Sequence, residues 1–388
     1  MKRFLPYTRQ IVTEADIAAV VEVLRSDYLT TGPVVNAFED ALATEVGAAF
    51  VIACSSGTAA LHLAALALGL GPGDTVIVPT VTFAATANGP RFTGANVIFA
   101  DVDPDTGLMR PSDMEAAIAR SPTPPRAVYP VHLGGQPCDM AAINAIAGQA
   151  GISVVEDAAH ALGTAYDDEA TTARVGGCTQ SDMAIFSFHP AKTVAMGEGG
   201  AVTTNDEVLA ARVREYCAHG IVRDNFKNGT TRDPWYYEMQ KLGFNYRASD
   251  IHCALGLSQL SRLETVVRKR EHLVSAYDTA LAELAPVIRP TERVPSDTTG
   301  WHLYQVLIDF EAVGLSRAEL INHLRENGIG TQVHYIPVHS QPYYQRLRET
   351  PMPGAEAFYQ RCLSLPLFSE MDEGDVLHVV ENLKTALL

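Results

Sequence analysis

From residue 50 onward, short apolar runs alternate with segments whose apolar residues recur every three to four positions. FVIAC, TVIVPTV, NVIFADV, AVYPVHL and SVVEDAA have the length and β-branched content of buried strands. Between them, SSGTAALHLAALALGL, PSDMEAAIAR and DMAAINAIAGQA read as helices, and MAIFSFH and GAVTTN add two further strands. This βαβα order predicts a mostly parallel sheet with helices on both faces. Upstream, EADIAAVVEVLR (14–25) and FEDALATEVG (38–47) predict helices, separated where the Gly and Pro of DYLTTGP break the pattern.

After residue 206 the rhythm becomes helical, in DEVLAARVREYC and then SDIHCALGLSQLSRLETVVRKREHLVSAYDTALAEL. The second run is too long for one simple helix and predicts a bent bridge between domains, with Ser249 as its N-cap. WHLYQVLIDF, SRAELINHLRENG and GTQVHYIP read β, α, β. The expected architecture is α/β: a large domain over residues 1–255, then a bridging helix and a smaller α+β C-terminal domain over 256–388. A chain of 388 residues exceeds what one small core holds.

Composition narrows the function. Hydrophobic residues make up 47% and charged residues 19%, as in a globular protein. The formal net charge of −16 argues against a nucleic-acid-binding surface. The six cysteines are scattered without a CxxC pair, which fits a reduced, cytoplasmic protein. No apolar run approaches the ~20 residues that span a bilayer, so no membrane association is expected. The N-terminus lacks the apolar stretch of a signal peptide. VHYIPVH (333–339) carries two histidines, but Pro337 between them breaks any helical ligand pair, so no metal is expected.

Candidate chemistry centres on Lys192, the only Lys or Arg between Arg174 and Arg212. An amine among apolar residues has its charged form disfavoured and can act as nucleophile and base near neutral pH. Asp157 ends the apolar run of VVEDAAH, and a carboxylate there can keep a pyridinium nitrogen protonated. In SSGTAALHL, Gly57 and Thr58 fall at a helix start where free N–H groups favour an anion, although Ser and Thr there are also ordinary caps. GLGPGDTVIV follows a helix and precedes a strand, the reverse of a dinucleotide fingerprint, and reads as a turn. Phe83 at a strand's carboxyl end suits either stacking on a planar cofactor or the core. His160 suits a phenolic oxygen or a structural role. In FSFHPAK, Ser187 can donate to a phosphate, with His189 between it and Lys192.

Taken together, these segments resemble the DegT/DnrJ/EryC1/StrS family of sugar aminotransferases that use pyridoxal 5′-phosphate (PLP), a fold-type-I group with a seven-stranded sheet. The resemblance implies that Lys192 carries the cofactor as a Schiff base and Asp157 pairs with its ring nitrogen. It implies that Phe83 stacks on the ring, His160 lies near the 3-hydroxyl, and Gly57, Thr58 and Ser187 hold the phosphate. It implies a homodimer in which Asn245 reaches the neighbouring subunit's site. L-Glutamate and a UDP-linked 4-keto sugar are the implied substrates. LPYTRQ, RSDYLTTGP, SFHPAK and PWYYEMQKLGFNYR point within the family to acceptors of the 6-deoxy-N-acetylhexosamine kind. By the same resemblance Tyr7, Asp27, Tyr28, Leu29, Thr30, His189, His334 and Tyr335 contact the substrate, with His219 a further candidate. Ser55 and Met196 depart from the usual family residues. Arabinose-, bacillosamine- or perosamine-type sugars are the alternative acceptors. A PLP-binding regulator without turnover is the reading from another class; Lys192 and Asp157 together count against it.

Overall fold

The seven expected strands form one sheet. In this computed structural model, which describes residues 4–168, 171–223, 233–345 and 351–386, they are β1 (Phe50–Cys54), β2 (Thr75–Pro79), β3 (Asn96–Ala100), β4 (Ala127–Val128) and β5 (Ser153–Asp157), then, after a hairpin of β6 (Ala165–Asp168) and β7 (Thr171–Arg174), β8 (Met183–Ser187) and β9 (Gly200–Thr204). The order across the sheet is β1-β9-β8-β5-β4-β2-β3. Strands β3, β2, β4, β5 and β8 pair in parallel, whereas β9 runs antiparallel to both its neighbours. The carboxyl ends of β1, β2, β5 and β8 therefore open on the same edge, where ligands of open α/β sheets bind.

Helices α1 (Glu14–Arg25), α2 (Pro33–Val46), α3 (Gly57–Ala67), α4 (Ala84–Phe92), α5 (Pro111–Arg120), α6 (Met140–Ala150) and α7 (Glu207–Cys217) surround the sheet. α3 is apolar on every side, and Ala59 through Ala65 are all buried, as expected of a helix enclosed by other elements. Beside it Phe38, Phe186 and Phe188 have no exposed surface; burying each ring contributes about 2–3 kcal/mol. Gly176 has φ +90°, and a Cβ there would lie 2.4 Å from the Phe186 ring, so only glycine permits this packing.

The long helical run breaks at Ser261–Arg262 into α8 (Asp250–Leu260), capped by Ser249, and α9 (Leu263–Leu281). At the break the Arg262 guanidinium reaches back to the buried Asp16 carboxylate, 2.7 Å away, at the start of α1. α9 joins two cores. Leu263 and Val267 pack in the cluster around the large sheet, while Leu273, Val274, Tyr277 and Leu281 pack in a second cluster. Two minor strands, β10 (Ile221–Val222) and β11 (Glu238–Met239), pair with each other. The second core lies against β12 (Ile288–Pro290), β13 (Tyr304–Ile308) and β14 (Cys362–Leu365), which form an antiparallel sheet.

WHLYQVLIDF supplies β13 and SRAELINHLRENG a helix, Arg317–Glu326, but GTQVHYIP is not a strand. Its backbone makes one bridge, Gln332 with Ser364. The next carbonyls turn away: Gln305 Nε2 donates to His334 O at 3.0 Å, and Pro337 has no N–H to continue a ladder. The segment becomes a wall of the cavity described below.

Candidate active site

A cavity of about 700 Å³ opens where β5 and β8 end. Lys192 lines it from the loop between β8 and β9, and its backbone N–H donates to His189 O at 2.8 Å. Burial brings the Lys192 amine down to about 8, with the charge of Asp157 pulling the other way. Asp157 ends β5 and is 5% exposed. Thr86 Oγ1 donates to its Oδ2 at 2.6 Å, and the Ala159 N–H donates to Oδ1 at 3.2 Å. Burial raises the Asp157 carboxyl above its ordinary value, while these two hydrogen bonds and the Lys192 charge favour the ionised form.

The start of α3 faces the same cavity. Ser56 caps the helix by accepting from Ala59 N, while Gly57 and Thr58 occupy the first two helical positions, where N–H groups have no intrahelical acceptor. A Cβ on Gly57 would lie 2.8 Å from Ser187 Cβ and 3.1 Å from its Oγ, so the helix start and the end of β8 meet only because residue 57 is glycine. Dipole, free N–H groups and a hydroxyl thus converge at one point of the cavity, an arrangement that suits an anion. Gly57→Ala is therefore expected to weaken PLP binding by at least about tenfold, as measured by cofactor titration, through loss of an anion contact.

Phe83 sits at the N-cap of α4, is 60% exposed, and has its ring 6.1 Å from that of Tyr335. His160 is fixed in one tautomer. Its Nδ1 accepts from the Gly134 N–H at 3.3 Å, so Nε2 carries the proton and donates to Tyr335 Oη at 3.1 Å. Burial, and then the Lys192 charge, hold His160 well below the usual histidine range. Burial likewise lowers His334 to about 3; its Nδ1 lies 2.8 Å from Ser364 Oγ. Tyr7 reaches the cavity from the N-terminal segment, with its ring 5.4 Å from His334. His189 lies at the exposed rim.

The cavity thus brings together Tyr7, Gly57, Thr58, Phe83, Asp157, His160, Ser187, His189, Lys192, His334 and Tyr335. It does not bring in Asp27, Tyr28, Leu29, Thr30 or Asn245 of the same chain. Residues 29–34 are tied to the start of α8, where Asp250 accepts from the Gly32 and Val34 N–H groups at 2.8 and 3.0 Å. Asn245 bridges to Ala218. His219, with φ +63°, also lies outside the cavity lining.

Sequence reasoning missed Thr86 and His302. Thr86 lies in the first turn of α4 and Thr82 just before its N-cap, and no local pattern in PTVTFAATANG marked either. His302 lines the cavity with its ring 4.4 Å from that of His160, and nothing in WHLYQVLIDF marked it.

A half-buried amine facing the same cavity as a buried carboxylate, beside a helix start with free N–H groups on this type of sheet, fits a PLP-dependent aminotransferase of fold type I. The pattern of the DegT/DnrJ/EryC1/StrS aminotransferase family matches residues 10–384, and the chain belongs to that family. It is 41% identical over 386 residues to the spore coat polysaccharide biosynthesis protein SpsC of Bacillus subtilis, covering 98% of this chain and 96% of that protein. Among solved structures it resembles Helicobacter pylori PseC, an aminotransferase involved in the biosynthesis of pseudoaminic acid, with a TM-score of 0.90, 27% identity and 99% of each chain covered. The PLP form of Spr1654 from Streptococcus pneumoniae gives a TM-score of 0.88 at 28% identity, over 99% of this chain and 98% of that one. The protein is a PLP-dependent sugar aminotransferase. No helix among the described residues is long and apolar enough to cross a membrane.

Proposed function

We propose that the protein moves an amino group from L-glutamate to C4 of UDP-2-acetamido-2,6-dideoxy-β-L-arabino-hex-4-ulose, the transamination that leads toward pseudaminic acid. The observation that carries the chemistry is Lys192 and Asp157 lining one cavity beside the Gly57–Ser187 cradle. The donor set fits PLP, which when bound supplies the electron sink and carries the amino group between donor and acceptor.

Lys192 Nζ would hold the cofactor and, as the general base, would take and return the proton at the carbon bearing the amino group. Asp157 would accept the hydrogen bond of the ring nitrogen. Gly57, Thr58 and Ser187 would hold the phosphate, Phe83 would cover the ring, and His160 with Tyr335 would serve its 3-hydroxyl. Tyr7, His189, His334 and Tyr335 wall the sugar pocket. Burial holds His160, His302 and His334 below the usual histidine range, so at neutral pH the pocket offers uncharged imidazoles. That suits hydroxyl and amide groups of a sugar.

The functional unit in this reading is a homodimer. Lys192 is the only Lys or Arg lining the cavity among the described residues. A dicarboxylate donor and a nucleoside diphosphate both call for further cations or donors. A second subunit that contributes Asn245 and residues 27–30 completes the site. Exposed Trp235, Met239 and Leu242, close to Asn245 in the chain, are apolar surface of the kind a partner covers.

The finer substrate rests on the likeness to PseC and on LPYTRQ, RSDYLTTGP, SFHPAK and PWYYEMQKLGFNYR. A second reading, another nucleotide keto sugar, is favoured by the greater sequence identity to SpsC. One half-reaction separates them. The protein in its pyridoxamine form is mixed with UDP- and GDP-linked keto sugars one at a time, and return of the PLP absorbance is followed. Return with the β-L-arabino-4-ulose alone is expected; return only with a different sugar moves the assignment to that sugar.

A further inference from the structure

Asp157 is enclosed by protein, and an enclosed carboxylate is costly to ionise. A ring-nitrogen partner must nonetheless be ionised. We propose that Thr86 and Thr82 form a directed hydrogen-bond relay that keeps Asp157 ionised and aimed, which makes both threonines positioning residues for the reaction. This rests on the reading that Asp157 pairs with the cofactor's ring nitrogen.

The direction of the relay follows from valence. Thr86 Oγ1 lies 2.6 Å from Asp157 Oδ2. An ionised carboxylate only accepts, so the Thr86 proton points at it. Thr82 Oγ1 lies 2.7 Å from Thr86 Oγ1. Thr86 has already given its one proton, so Thr82 is the donor in that contact. Each hydroxyl therefore polarises the next toward the carboxylate. Both threonines are enclosed, at 2% and 0% exposure, so water does not compete freely for these contacts. A helical threonine commonly returns its hydroxyl to a carbonyl three or four residues back; Thr86 spends it on Asp157. With the Ala159 N–H on Oδ1, both oxygens are fixed in orientation while each keeps a lone pair.

The other titratable groups around Asp157 come from several elements. They are Lys192 of the β8–β9 loop, Tyr129 and His132 beyond β4, and Tyr335 of the cavity wall. His132 Nδ1 accepts from the Cys138 N–H at 3.1 Å and its Nε2 faces Glu156 at 2.9 Å, so it turns away from Asp157. None of these groups hydrogen-bonds to Thr86 or Thr82, and changing the threonines leaves their partners in place.

The test is the pH dependence of pyridoxamine 5′-phosphate binding to the full chain, because this form makes no bond to Lys192. Binding weakens on the acid side as Asp157 takes up a proton. Thr86→Val removes a donor that favours the ionised form, so the carboxylate is lost at higher pH. The acid limb is expected to move up by about one pH unit, a tenfold change in proton affinity. Thr86→Ser restores the wild-type limb, and Thr82→Val moves it part of the way in the same direction. Asp157→Asn abolishes the limb. If Asp157→Asn leaves the limb in place, Asp157 is not the ring's partner and the underlying reading fails. If Asp157→Asn abolishes the limb but both threonine-to-valine changes leave its midpoint unmoved, the relay alone is overturned. Should Thr86→Val not fold, Thr82→Val carries the test, since it leaves the Asp157 contact intact.

Discussion

Lys192→Ala is expected to slow amino transfer from L-glutamate by at least about 10⁴-fold, the upper range for a positioned general base, because the same side chain also attaches the cofactor. Burial has already prepared this amine. Its value of about 8 means that at pH 7 about a tenth is uncharged, whereas an exposed lysine near 10.4 would be almost wholly protonated. The sign of the pH dependence follows. Capture of PLP by the cofactor-free protein should speed up as pH rises through about 8 and level off above it, because only the neutral amine attacks. Lys192→Arg keeps the positive charge but holds its proton at all accessible pH, so it should be as inactive as the alanine variant. Single-turnover transfer from glutamate checks both variants. Turnover within tenfold of wild type in either would remove Lys192 from the chemistry.

Legibility in the sequence followed the range of the signal. The large sheet was readable because each strand is a contiguous apolar run, and FVIAC through GAVTTN map onto the seven strands of one sheet. Lys192 stood out as a candidate because no other Lys or Arg stands near it in the chain, and it lines the cavity. The small sheet was harder. β12 and β14 are only IRP and CLSL, too short to show a period, and they gain stability from pairing with β13. GTQVHYIP has the residues of a strand, yet a side chain of β13 takes its carbonyl and diverts it. Thr86 and Asp157 stand 71 residues apart, and their contact depends on how α4 is placed against β5. His302 is similar: its place beside His160 comes from the Gly134 backbone, which accepts from the His302 N–H and donates to the His160 ring.

Asp157→Asn should have opposite effects on stability and on function. In the cofactor-free protein, burial raises the Asp157 carboxyl above its ordinary value, so the ionised form costs the folded state. The sign is that of a raised acid: its contribution is most favourable below the ordinary carboxylate value and is lost as pH rises through the raised one. Wherever the carboxyl is ionised in the folded state that cost is present, and asparagine, nearly the same shape and uncharged, removes it. The cofactor-free variant is expected to unfold at a temperature equal to or a few degrees above wild type, with the gap closing as the pH is lowered. Turnover should fall by about 10³-fold, since an amide cannot hold the ring nitrogen protonated. Thermal unfolding of the cofactor-free proteins at matched scan rates and the glutamate half-reaction measure the two effects. A variant that is markedly less stable than wild type without cofactor would mean that the Thr86 and Ala159 hydrogen bonds outweigh the burial of the charge, and that the carboxylate serves the fold as well as the reaction. A variant as active as wild type would leave the ring nitrogen without its partner and shift the electron sink's support to another group.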